Sequence, residues 1–204
     1  GITHTKDDVP GTQNDVAALP QELSGFLAGR IAPKIGLFSQ FTYAGPDGAF
    51  GIDNVDIRFA NKGSLGGDKE IIYGLTLNNN PTIQDLWNTT PGWGFPFIGS
   101  AAAPSPAASP LIDGALGQSV LGLGGYGMFA NLVYAEFSVY RSALQGVPAP
   151  DATTGAIKGV APYWRFALQK DFDNQSLMVG TFGMHTSLFP AALSGPQDKY
   201  SDIG

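Results

Sequence analysis

Hydrophobic and polar residues alternate with a period of two in several stretches of the chain. The clearest example is a predicted hairpin over residues 160–188. In its first strand Trp164, Phe166 and Leu168 alternate with Tyr163, Arg165 and Gln169. After an Asp-Asn turn, Met178, Phe182 and Met184 alternate with Thr181, Gly183 and His185. Successive side chains of a strand lie on opposite faces, so this pattern predicts a hairpin with one apolar and one polar face.

The same alternation predicts strands over residues 23–31, 35–43, 52–61, 70–78, 114–127 and 131–141. Residues 1–6 and 202–204 are predicted to be short strands or strand ends. Glycine and proline clusters predict connections over 7–22, 32–34, 44–51, 62–69, 79–113, 128–130, 142–159 and 189–201. The chain is therefore predicted to be all-β, a single domain over residues 1–204.

Connection lengths indicate which all-β fold this is. Short connections near 32–34, 62–69, 128–130 and 171–175 alternate with longer ones over 44–51, 79–113, 142–159 and 189–201. Up-and-down transmembrane β-barrels have this asymmetry. The predicted strands also approach the 9–11 residues with which a tilted strand crosses a bilayer. The pattern favours an antiparallel up-and-down transmembrane barrel.

A membrane-spanning helix is not predicted. The uncharged stretch Leu86–Ile112 contains five prolines, each costing a helix interior about 3 kcal/mol. The stretch Gly114–Ala135 contains six glycines, each costing about 1 kcal/mol relative to alanine. Any crossing of a membrane is therefore expected to use strands.

Composition narrows the function classes. Charged residues make up 14% of the chain, against roughly 25% in ordinary soluble domains. The net charge of −6 argues against a nucleic-acid partner. Cysteine is absent, which excludes disulfides, thiolate metal sites and covalent c-type haem within this chain. No signal peptide is evident at the start, which predicts a mature, cropped or cytosolic chain. A soluble β-sandwich or secreted β-solenoid is the alternative, since these also show alternating strands.

Seven side chains are predicted to line a polar lumen: Arg30, Lys34, Asp56, Arg58, Glu136, Arg165 and His185. Opposite charges among them are expected to form a ladder across the strands. Asp53 and Asp56 are predicted on opposite faces, because they lie three residues apart on one strand. No catalytic triad or metal cluster is evident, so the protein is not predicted to be an enzyme. His185 is a weak candidate haem ligand, and a pore-lining role is the simpler interpretation.

The long connection 79–113 contains an aromatic cluster formed by Trp87, Trp93, Phe95 and Phe97. Long connections in compact domains usually have a function. The cluster is expected to fold into the barrel as a constriction, because uncharged aromatic rings favour burial. A surface patch for a partner is the alternative.

Several segments resemble a known family: FLAGRIAPKIGLFSQFTY, GIDNVDIRFAN, YGLTLNNNPTIQDLWNTTPGWGFPF, LGLGGYG, GVAPYWRFALQ and VGTFGMHTSLFP. They are similar, in the same order, to the outer-membrane cytochrome c–porins of proteobacteria. The resemblance implies a haem c segment joined to an outer-membrane barrel, which together carry electrons across the bacterial outer membrane from donors such as ferrous iron. The family's Cys-x-x-Cys-His motif and its closing strands are not in this sequence.

The sequence therefore predicts a barrel wall of about nine strands, where bacterial single-chain barrels have an even number. It is expected to be part of a larger barrel, completed at both ends by missing strands or by additional chains. The predicted function is the sheath or pore of a cytochrome–porin conduit. Its expected partners are outer-membrane lipid and a cytochrome segment or periplasmic c-type cytochrome. A plain porin for small solutes and a secreted or surface structural β-protein remain the alternatives.

Overall fold

The protein is all-β in the computed structural model, which describes residues 1–11, 14–81, 83, 85–87, 116–142, 155–190 and 192–204. A small separate hairpin pairs β1 (Ile2–Thr3) with β2 (Val16–Ala17). All other strands belong to one antiparallel sheet of ten strands. Within these ranges no helix is long and apolar enough to cross a membrane.

Nine strands of the sheet form an antiparallel meander in chain order. They are β3 (Glu22–Ala32), β4 (Ile35–Ala44), β5 (Ala49–Ser64), β6 (Glu70–Asn78), β7 (Val120–Phe129), β8 (Val133–Ser142), β10 (Ala161–Phe172), β11 (Gln175–Phe189) and β12 (Asp198–Ile203). The tenth, β9 (Ala156–Ile157), lies outside this order and pairs with the end of β11. The described sheet is open, with β3 and β12 as its edges.

The predicted all-β class and antiparallel sheet are confirmed, and several boundaries are corrected. β7 begins at Val120 rather than near 114, and the turn after it lies at 130–132. β12 begins at Asp198, inside the predicted third loop. The connection between β4 and β5 is only the turn 45–48, as short as those at the other end of the sheet. The predicted asymmetry therefore holds for the chain between β6 and β7, between β8 and β10, and between β11 and β12.

The two faces of the sheet have opposite character, and the polar one is buried. We call polar face the side that carries Asp56, Thr76, Glu136 and Arg165, and apolar face the side that carries Ile57, Leu75, Phe137 and Phe166. Glu136 is 3% exposed and Arg165 2%, whereas Leu75 is 56% exposed and Phe137 57%. Water-soluble domains bury their apolar faces instead, so this sheet is reversed in polarity.

The facing predicted for β11 is wrong. Met184 lies opposite Tyr163 on the polar face, where it is buried, and Phe182 lies opposite Arg165 on that same face. His185 therefore lies on the apolar face, exposed, with its Nδ1 2.7 Å from Oγ of Ser201. Both alternating sets of β11 contain apolar side chains, since Leu177 and Val179 occupy the other face. The sequence pattern alone could not choose between them.

A β-bulge in β5 changes the predicted facing of Asp53. The register shifts between Ser39 and Phe41 of β4, so β5 has one residue more than its partner at this point. Asn54 donates to Oε1 of Gln40 at 2.7 Å, and Thr42 donates to Asp53. A bulge interrupts the alternation of faces, so Asp53, Asn54 and Asp56 all lie on the polar face, and the predicted separation of the two aspartates is wrong.

Glycines in β7 make room for tyrosine rings on the polar face. A Cβ atom on Gly122 would overlap the ring of Tyr140, its cross-strand partner in β8. Tyr140 in turn packs edge-on against Tyr163, with ring centroids 6.4 Å apart. A hydrophobic cluster covers this end of the face and consists of Leu116, Val120, Tyr140, Ile157, Ala161, Tyr163, Met184 and Leu188. The glycines of LGLGGYG therefore leave space on the polar face for large side chains of the adjacent strand, such as Tyr140.

Candidate functional site

The first polar cluster on the polar face surrounds an ion pair within β5. Arg58 donates to Oδ2 of Asp56 from Nε at 3.2 Å and from Nη2 at 2.5 Å. Thr76 of β6 donates to Oδ1 of the same carboxylate at 2.6 Å, and Asn78 donates to Thr76 at 3.1 Å. The guanidinium carbon of Arg58 lies 5.3 Å from the ring centroid of Tyr126, within the range of a cation–π contact. The pair is thus held by hydrogen bonds and a ring.

The run Asn78-Asn79-Asn80 directs the chain after β6 across the polar face. Asn79 accepts from the backbone N–H of Val55 at 2.7 Å and donates to the carbonyl of Asp53 at 2.8 Å, at the bulge. Asn80 donates to Oδ1 of Asn54 at 2.9 Å. A bulge removes backbone groups from the ladder, and a buried unmade hydrogen bond costs about 1–3 kcal/mol. Asn79 satisfies these groups and fastens the start of the connection to the wall.

The second cluster joins that connection to β10. Nη1 of Arg165 lies 2.8 Å from Oδ2 of Asp85, and both side chains are almost completely buried. The guanidinium carbon of Arg165 lies 5.1 Å from the ring centroid of Trp87. Trp87 donates from Nε1 to Oε1 of Gln169 at 2.6 Å and meets Tyr134 edge-on at 5.3 Å between centroids. Asn79, Asn80, Asp85 and Trp87 therefore lie against the polar face; the predicted constriction of a closed barrel by Trp87 stays a prediction.

Glu136 lies beside the second cluster, directly opposite Arg165 in the register between β8 and β10. Its carboxylate accepts from Tyr134 at 2.8 Å and from Ser138 at 3.1 Å. A buried charge needs an opposite charge and hydrogen bonds to offset its loss of water. Arg165 therefore pairs with the buried carboxylate of Asp85 and lies opposite the buried residue Glu136 in the sheet.

An open groove remains between the connection and the strands β3 to β5. Its lining includes Gly36, Phe38, Asp56 and Arg58 from the wall and Asp85 from the connection. The groove is open to solvent, and its charged groups come both from the wall and from the connection.

The other predicted lumen residues take different positions. Arg30 lies on the polar face of the edge strand β3, exposed, two strands from Arg58. Lys34 lies in the turn between β3 and β4 with φ 62°, exposed, and so outside the strand faces. His185 lies on the apolar face, which corrects its assignment to the lumen. Trp93, Phe95 and Phe97 of the predicted constriction lie outside the described residues.

Three important contributors were not predicted as site residues: Asp85, Gln169 and Asn79. The signal for Asp85 was a lone acid within an apolar, proline-rich segment, where a buried partner is needed. The signal for Asn79 was the repeated asparagine at a strand end, since asparagine side chains often bond nearby backbone groups.

The residues of this chain do not fit the haem c that the resemblance implies. The sequence has no cysteine for a thioether bond. His185 lies on the apolar face and contacts Ser201, while His4 contacts Asp15 with its Nδ1 at 3.1 Å in the β1–β2 region. Among the residues that the structure describes, no group of three His, Cys, Asp or Glu side chains is placed to hold a metal ion. The sequence therefore offers haem c no covalent attachment.

The class that fold and site define is an all-β protein with one antiparallel sheet, a buried polar face and an exposed apolar face. Comparison of the chain with protein-family models, curated proteins and solved structures found no match. The resemblance to the cytochrome c–porins therefore stays a prediction.

Proposed function

We propose that the chain forms the wall of an outer-membrane β-barrel, with lipid against the apolar face and a polar lumen narrowed by residues 79–87. The observation that carries this proposal is the reversed polarity of the sheet. Lumen-facing polar residues alternate with lipid-facing apolar ones in such barrels. A structural β-protein in water would have to cover a face that carries Leu75, Phe137, Phe166 and Val179, all more than half exposed.

The specific role we propose is the sheath or pore portion of a cytochrome–porin conduit for electron transfer. The barrel would insulate a haem-bearing segment of another polypeptide or chain region from lipid. The resemblance of the segments quoted above supports this role. In this role the described side chains supply the polar wall, and the haem is bound by the other segment.

A plain porin for small solutes is the second candidate, and the groove beside Asp56, Arg58 and Asp85 favours it. The two roles are separated by testing the native protein purified in detergent. A haem absorption band together with an impermeable barrel supports the conduit. Ion conductance in planar bilayers without haem supports the porin. A protein that stays in solution without detergent and shows no heat-dependent gel migration contradicts both roles.

Truncating Trp87 tests the narrowing directly. The Trp87→Ala variant removes the ring against Arg165 and Tyr134 and the hydrogen bond to Gln169. We expect a severalfold larger single-channel conductance, because the indole ring is removed from the polar face and the described part of the connection keeps only the Asp85–Arg165 ion pair as its attachment to β10. Leu123→Ala is the control, since Leu123 is half exposed on the apolar face of β7, on the other side of the sheet from Trp87. Equal conductance of Trp87→Ala and the unaltered protein would show that this segment does not narrow a lumen.

A further inference from the structure

Charge on this sheet is segregated by face. Every acidic residue of strands β3 to β12 lies on the polar face: Glu22, Asp53, Asp56, Glu70, Glu136, Asp171, Asp198 and Asp202. The apolar face of these strands carries only Arg141, Lys170 and Lys199, all within two residues of a strand end. Contact with lipid, as proposed above, would explain why charge on the apolar face is confined to the strand ends. It does not determine which sign prevails on the other face.

Acidic residues outnumber basic ones on the polar face. Its basic residues within the strands are Arg30, Arg58, Lys62 and Arg165. Three of these form ion pairs: Arg58 with Asp56, Lys62 with Glu70 and Arg165 with Asp85. Six acidic residues of these strands lie outside the three pairs, and Arg30 is the one basic residue of the strands' polar face that does. The polar face of the described strands therefore has an excess of negative charge.

The acidic excess reaches both the entrance and the groove. A row of polar side chains lies at the end of the sheet where the chain leaves β6. The hydroxyl oxygens of Ser24 and Thr42 are 2.7 Å apart, and Thr42 donates to Asp53. Glu22 accepts from Ser24 at 3.3 Å in the same row. Farther in, Asp56 and Asp85 line the groove itself. Carboxylates therefore follow the polar face from the end of the sheet near Glu22 to the groove near Asp85.

We propose that the lumen is selective for cations, so that its solutes are inorganic cations or small organic cations rather than anions. The proposal rests on the second candidate function, the porin, because it requires the polar face to enclose a water-filled passage. Acidic side chains along a pore attract cations and repel anions. A cleft between low-dielectric walls strengthens this effect by focusing the field of its charges. The selectivity belongs to the whole face and needs no ion bound at one carboxylate.

The test is the zero-current potential of the native protein in planar bilayers under a KCl gradient. We expect the sign for K⁺ permeation and a K⁺ preference of severalfold at low salt. The preference should fall toward unity near 1 M KCl, because the screening length is about 10 Å at about 0.1 M salt and only about 3 Å at about 1 M. The Asp53→Asn, Glu22→Gln double variant should lower the preference, because it removes two negative charges from the polar face. Each amide keeps the size of the acid and one oxygen that can accept from Thr42 or Ser24.

Arg30→Gln is the matched variant of opposite sign, because Arg30 is an exposed base on the polar face of the same edge strand as Glu22. It should raise the K⁺ preference and leave the single-channel conductance nearly unchanged. Channels without cation preference, or with preference for Cl⁻, would overturn this inference and leave the porin role standing. Absence of any conductance would overturn the porin role and the inference together. Unchanged selectivity in both variants would show that these side chains do not face the passage.

Discussion

The Arg165→Ala variant is expected to lose about 3–5 kcal/mol of unfolding free energy, because removing one partner of a buried ion pair leaves the other charge uncompensated. Asp85 is as deeply buried as Arg165, and the carboxylate of Glu136 lies opposite in the register. The measurement is urea unfolding of protein refolded in detergent micelles or vesicles, followed by tryptophan fluorescence. Loss of the contact with Trp87 should also shift the emission of the folded protein toward the red.

A double-mutant cycle with Asp85→Asn shows whether the two side chains act together. In the Asp85→Asn background, Arg165→Ala should cost distinctly less, because one buried carboxylate is already neutral. Lys170→Ala is the control, since Lys170 is exposed near the end of the same strand and its loss should change stability by no more than about 0.5 kcal/mol. Equal costs for Arg165→Ala in both backgrounds would show that Arg165 does not hold the 79–87 connection through Asp85.

The second large effect concerns the apolar face. Phe137→Arg in the middle of β8 should cost about 2–4 kcal/mol in a bilayer, the penalty for arginine at mid-depth on the lipid face of a barrel. Phe137 is mostly exposed, so the same change on a surface in contact with water would cost within about 0.5 kcal/mol. The two environments therefore predict different outcomes for one substitution. Unfolding in lipid vesicles measures the difference.

A position near the end of a strand, and so near the membrane surface in the proposed barrel, provides the control for Phe137→Arg. Leu121 lies on the same face one residue from the start of β7, opposite Arg141. Leu121→Arg should cost only about 0–1 kcal/mol, because arginine near the interface reaches water. If Phe137→Arg and Leu121→Arg are equally harmless, water rather than hydrocarbon covers the apolar face.

The sequence was informative where one alternating set was polar and the other apolar. In β10 and in the part of β5 that carries Asp56 and Arg58, the predicted faces agree with the structure. The pattern failed in β11, where both sets contain apolar side chains and only pairing with β10 decides the facing. It failed again at Asp53, because a bulge is a local shift of register that composition does not reveal.

The site was predictable in part for a related reason. In strands with a clear alternation of polar and apolar positions, charged residues mark the polar face. Asp56, Arg58, Glu136 and Arg165 were therefore predicted on the same face. Asp85 and Asn79 act from a connection, and a connection has no period that predicts where its side chains will lie. Their partners, Arg165 and the bulge of β5, are 80 and 24 residues away in sequence. Tertiary contact alone brings them together.

The proposed barrel requires hydrocarbon against the apolar face, and site-directed spin labelling identifies the surrounding medium directly. Leu27 of β3 and Phe137 lie on the apolar face, and Arg30 lies on the polar face. The chain has no cysteine, so Leu27→Cys, Phe137→Cys and Arg30→Cys each provide a single labelling position. In lipid vesicles the labels at positions 27 and 137 should collide with oxygen dissolved in hydrocarbon, and the label at position 30 with an aqueous nickel complex. Labels at 27 and 137 that meet the nickel complex as readily as the label at 30 would contradict the membrane-spanning barrel.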